Sequence, residues 1–123
     1  MILVDTSVWE DFVRHGDPLL AQLLAEDRVY MHPYVIGELA LGSLRQREIV
    51  LSDLHKIPNA KVADHAEVLR MIEERSLHGR GIGYVDVHLL ASARLTPGTQ
   101  LWSRDRLLNA AAEALGVAAR LAH

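Results

Sequence analysis

Apolar positions follow two rhythms along this chain. Short unbroken runs at Ile2-Leu3-Val4, Val29-Tyr30-Met31 and Leu101-Trp102 read as buried strands. Between them the spacing turns helical. Val8, Trp9, Phe12 and Val13 mark a first helix, which His15-Gly16-Asp17-Pro18 stops, and Pro18 opens a second with the stripe Leu19, Leu20, Leu23 and Leu24. Pro33 starts a third through Leu41, with Gly42 as terminator. A fourth is expected over 45–55, turning Ile49, Val50 and Leu54 inward. Asp64 and Glu67 resemble a capping box for a helix reaching about Ser76, with Val68, Leu69 and Ile72 apolar. Helices over 84–95 and 105–115 follow, closed by Thr96-Pro97-Gly98 and Gly116. Residues 60–62 read as a short edge strand and 117–119 as a final one.

Strands that alternate with helices imply parallel pairing, right-handed crossovers and helices on both faces. The expected fold is therefore α/β, a three-layer α/β/α sandwich around a short, mainly parallel sheet. The chain shows no repeat, linker or low-complexity segment, so 1–123 is expected to form one domain.

Composition removes several classes of function. There is no cysteine, which excludes disulfides and thiolate chemistry. The net charge of -3 gives no overall basic footprint for nucleic acid, although the cations are almost all arginine, with Lys56 and Lys61 the only lysines. The first apolar run stops at Asp5, too short for a signal peptide, and no run approaches the ~20 residues that span a bilayer. A cytoplasmic protein without membrane contact is expected. The seven histidines are scattered, which does not suggest a zinc site.

What stands out is four acids. Asp5 follows the first strand and Asp105 follows Leu101-Trp102. In a parallel sheet neighbouring strands end side by side, and ligands bind beyond those ends, so these two acids are expected to lie close together. Asp86 falls in the first turn of a helix after Gly81 and Gly83, and Glu38 is flanked by Val35 and Leu39 on a helix face that looks apolar. Asp5, Asp86 and Asp105 each have an ordinary explanation as a helix cap or first-turn acid. Glu38 has none, because burial of a bare carboxylate is costly.

Asp5-Thr6-Ser7 after a strand, Gly37-Glu38-Leu39 before Gly42, Tyr84-Val85-Asp86 before Leu89-Leu90-Ala91, and Ser103-Arg104-Asp105 after a late strand together resemble the PIN domain. They are most similar to the VapC-type ribonuclease toxins of bacterial toxin–antitoxin pairs. The resemblance runs over nearly the whole chain, with Ser103 where the family more often has threonine. It implies Mg²⁺ or Mn²⁺ as cofactor, held by Asp5, Glu38, Asp86 and Asp105 as catalytic acids, with Thr6 and Ser103 as lesser members. It also implies endonucleolytic cleavage of RNA, a structured target such as a transfer RNA, a cognate antitoxin and a homodimer. Oxygen ligands suit such hard cations, and a bound metal both activates water and stabilises a leaving oxygen in phosphodiester hydrolysis. Arg45, Arg80 and Arg104, with Arg47 and Arg106, flank the acids and are candidates to hold RNA phosphates. Tyr34 and Tyr84 are candidates to stack on bases, whereas Trp9 and Trp102 fit the core.

Two other acid-bearing α/β classes fit less well. A phosphoaspartate enzyme of the haloacid-dehalogenase type needs an acid two residues beyond the first, where Ser7 stands, and a response-regulator receiver needs a late lysine, but none follows Lys61. The remaining alternative is a PIN-like module that binds RNA or protein without cutting.

Overall fold

The computed structural model describes residues 1–121. Its centre is β1 (Ile2–Val4), whose three residues are all buried. It pairs in parallel with β2 (Val29–Tyr30) on one side and β3 (Gln100–Trp102) on the other, giving the sheet order β2-β1-β3. Leu3 faces Tyr30 in one neighbour and Leu101 in the other, and Val4 faces Trp102. A strand covered on both faces needs no polar alternation, which is why Ile-Leu-Val suffices.

Seven helices are seen among the described residues: α1 (Thr6–His15), α2 (Pro18–Ala25), α3 (Pro33–Leu41), α4 (Arg47–His55), α5 (His65–Glu74), α6 (Tyr84–Leu95) and α7 (Arg106–Ala114). With the parallel sheet they make an α/β sandwich, as the pattern predicts. The Asp64–Glu67 capping box forms, with Glu67 N donating to Asp64 Oδ1 and Asp64 N to Glu67 Oε1. Leu20 and Leu23 of α2 are buried, and Leu19 and Leu24 pack against the core from partly exposed positions. Trp9 and Trp102 belong to the core, as expected.

The structure corrects several expectations. Residues 60–62 form no strand: a single parallel bridge joins Asn59 to Met31, and Lys61 N donates instead to the Thr96 hydroxyl, so the ladder cannot continue. The expected strand over 117–119 likewise reduces to one bridge between Ala118 and Leu101. α4 starts two residues late because Gln46 takes a left-handed backbone, φ 50°. Ile49 and Leu69 face solvent, whereas Met71 lies inward beside Val68.

Candidate active site

Asp5 occupies the N-cap position of α1, yet its side chain caps nothing. The carboxylate is buried, and its Oδ2 accepts hydrogen bonds from Ser7 Oγ and Ser103 Oγ, each at 2.7 Å. Two hydroxyls on one oxygen fix its rotamer and leave Oδ1 without a protein donor among the described residues. The ordinary capping explanation therefore fails for this acid.

Ser103 Oγ also accepts from Asp105 N at 2.9 Å, and Ser7 Oγ accepts from Arg104 N at 3.0 Å. The two serines thus tie the turn after β1 to the turn after β3. Ser7 is a site residue that the acids alone do not reveal. Its signal is a hydroxyl two positions beyond an aspartate at a strand-to-helix turn.

Asp105 does cap its helix: Oδ1 accepts from Leu107 N at 2.8 Å and Leu108 N at 3.1 Å. Its backbone position is set further by Asn109 Nδ2, which donates to Ser103 O at 2.7 Å. Asp86 lies in the first turn of α6, where Oδ2 accepts from Gly83 N at 2.9 Å. Burial pushes its carboxyl above the ordinary value. The Gly83 hydrogen bond partly opposes that rise, and the charges of Asp5, Asp105 and Glu38 add to it. Asp5, Asp105 and Glu38 are thus each near enough for their charges to act on Asp86.

Glu38 differs from expectation. It is exposed rather than sunk in an apolar face, because only Val35 and Leu39 of α3 turn inward. It stands at the rim, where Thr6 Oγ1 donates to its Oε1 at 2.6 Å.

Among the described residues, no three acids or histidines close around a point as direct ligands of one ion. The donor set still fits a hard cation. It is all oxygen, Asp5 offers an unshared oxygen, and Mg²⁺ characteristically keeps waters between itself and part of its protein ligands.

The arginines divide. Arg104 is engaged: its Nη1 lies 3.0 Å from Asp11 Oδ2, its Nη2 2.6 Å from Asp17 Oδ2, and the guanidinium stands 6.0 Å from the Trp102 ring. Arg80 Nε donates to Ser76 O at 2.9 Å. Arg45 lies in a cleft that Glu38 also lines.

A second cluster escaped the sequence. His88, two residues beyond Asp86, is buried with both ring nitrogens unpartnered, and the half-exposed rings of Tyr34 and Tyr84 pack against it edge-on at 4.6 and 4.7 Å. His32 lies 5.9 Å beyond and caps α3 by accepting Tyr34 N on Nδ1. Burial, helped by His88, lowers the His32 pKa to about 4, and burial also lowers that of His88. Both imidazoles are neutral at physiological pH.

An open parallel sheet with acids gathered beyond its strand ends defines a class, and the family comparison agrees: the PIN domain model matches residues 2–114, and the chain belongs to that family. Among characterised relatives it is 50% identical over 118 residues to Ribonuclease VapC32 of Mycobacterium tuberculosis, strains CDC 1551 / Oshkosh and ATCC 25618 / H37Rv. The match covers 96% of this chain and 95% of that protein. No helix among the described residues is long and apolar enough to cross a membrane.

Proposed function

We propose that the chain is a VapC-type endoribonuclease, the toxin of a toxin–antitoxin pair, which hydrolyses RNA phosphodiester bonds with Mg²⁺ or Mn²⁺. The observation that supports the chemistry is the buried Asp5 carboxylate, held through Oδ2 by Ser7 and Ser103 with Oδ1 left free of protein donors among the described residues, at the ends of parallel strands that also carry Asp105. The relative's name, Ribonuclease VapC32, supports the substrate class. The whole of 1–123 acts as one cytoplasmic unit, forms a homodimer and is neutralised by a cognate antitoxin. A structured RNA such as a transfer RNA is its target.

Asp5, Asp86 and Asp105 are the residues that would hold the ion, with Glu38 completing the set. The bound ion supplies an acidified water and charge to offset the developing oxyanion. The protein's own part is positioning. Ser7 and Ser103 aim Asp5, Gly83 N aims Asp86, and the α7 amides aim Asp105. Glu38, held by Thr6 at the solvent edge, orients the attacking water and accepts its proton.

The spacing of the acids is the one observation that favours the other reading, a PIN-like module that binds RNA or protein without cutting. Sequencing RNA ends after expression of the chain alone separates the two. New 5′ ends at defined sites, lost with Asp86→Asn, support the nuclease. Unchanged RNA with soluble wild-type protein overturns it.

A further inference from the structure

On one flank of the acids, the end of α1 and the loop after α3 enclose a cleft. Its lining includes Glu10, Arg14, His15, Glu38 and Arg45. Nearby, Arg47 Nη1 donates to Gly42 O, whose residue lines the cleft, at 3.3 Å. Among the described residues, Arg14 and Arg45 have no ion pair or hydrogen-bond partner. Arg104, by contrast, is held by two carboxylates. The placement of Arg14 by itself has an ordinary cause, since it sits in the last turn of α1, where a cation suits the helix dipole. That cause does not extend to Arg45, which comes from another element and lines the same cleft. Nor does it place Glu38, one of the four acids, in the wall between cleft and active site.

We propose that this cleft holds the RNA backbone next to the scissile phosphate, with Arg14 and Arg45 as phosphate contacts. The inference rests on the endoribonuclease reading and adds to it the path of the strand. An acidic pocket repels a polyanion, so the strand needs free cations beside it. A planar guanidinium is suited to phosphate oxygens. Arg14 and Arg45 are positioning residues, since they act on the strand and not on the reacting atoms. Glu10, on the same wall, opposes binding.

The test uses the full chain carrying Asp86→Asn, so that RNA stays intact, and a fluorescein-labelled uridine oligonucleotide titrated in Mg²⁺ at several salt concentrations. Arg14→Ala with Arg45→Ala should weaken binding roughly tenfold near 0.1 M salt and lower the slope of log affinity against log salt by about 0.7 per lost contact. Glu10→Gln should tighten binding. Arg70→Ala, at an exposed position of α5, should change neither. In the otherwise wild-type chain the arginine pair should raise KM far more than it lowers kcat. Unchanged affinity in the arginine variants overturns the proposal, as does weaker binding with an unchanged salt slope or an equal loss in Arg70→Ala. If wild type cuts no RNA while the binding pattern holds, the nuclease reading falls and the cleft stands as an RNA-binding site.

Discussion

Ser103 donates its hydroxyl proton to Asp5 Oδ2 over 2.7 Å, across 98 positions of sequence. Ser103 Oγ in turn accepts the Asp105 N–H at 2.9 Å. One buried hydroxyl therefore fixes a carboxylate after the central strand and the backbone of an acid after its neighbour.

Ser103→Ala removes that hydroxyl and leaves the Asp105 amide without its acceptor. We expect a loss of about 1.5–3 kcal/mol in urea unfolding, the usual cost of breaking a buried hydrogen bond to a charged group, together with slower RNA cleavage. Ser103→Thr keeps the hydroxyl and should retain most activity. An alanine variant as active and stable as wild type would show that Asp5 needs no such support.

Asp5→Asn and Asp86→Asn should each reduce RNA cleavage by orders of magnitude while circular dichroism remains unchanged. Wild-type cleavage should stop in EDTA and return with Mg²⁺ or Mn²⁺. Full activity in EDTA would rule out a metal role for the four acids.

Asp86 also makes a prediction about stability. Its folded pKa lies above its unfolded one, so the fold favours the protonated form. Without metal, the contribution of Asp86 to stability is therefore fullest below the unfolded value and is lost as pH rises through the window to the folded value. At neutral pH in EDTA, Asp86→Asn should melt higher than wild type. Mn²⁺ should then raise the wild-type melting temperature more than the variant's, by mass action on the native state. Equal responses would detach Asp86 from the metal.

His32 predicts the opposite slope. Its pKa falls from 6.5 in the unfolded chain to about 4 in the fold, so its contribution is full above 6.5 and is lost as pH falls through that window. By pH 4 the loss should approach about 2–3 kcal/mol. His32→Asn keeps an acceptor for the Tyr34 N–H and should flatten urea-derived stability between 6.5 and about pH 5, above most carboxylates. A variant that still loses stability there would assign the acid sensitivity to another group.

The acids were legible in the sequence because three of them stand where strands or glycine turns give way to helices, a signal carried by a few adjacent residues. The three-residue strands were legible for the same reason. Glu38 was found although its setting was misread: flanking Val35 and Leu39 suggest burial, but only they point inward, and Glu38 sits one helical step towards solvent. The tie of Ser7 to Arg104, the links of Arg104 to Asp11 and Asp17, and the His32–His88 cluster depend on contacts between distant segments. No local periodicity encodes such contacts. The expected strand at 60–62 failed for a similar reason, since the Thr96 hydroxyl that takes the Lys61 donor comes from the end of α6.

The order β2-β1-β3 has a consequence for how the protein comes into being. The first strand made is the middle of the sheet, and one of its neighbours is the last strand made. While the chain is still being translated, Asp5 waits without the Ser103 hydroxyl and without Asp105 beside it. Long-range parallel pairing of this kind forms late. For a chain that cuts RNA, activity then begins only after synthesis has passed Asp105. Until then the nascent chain lacks both the Ser103 hydroxyl and the Asp105 carboxylate of the set.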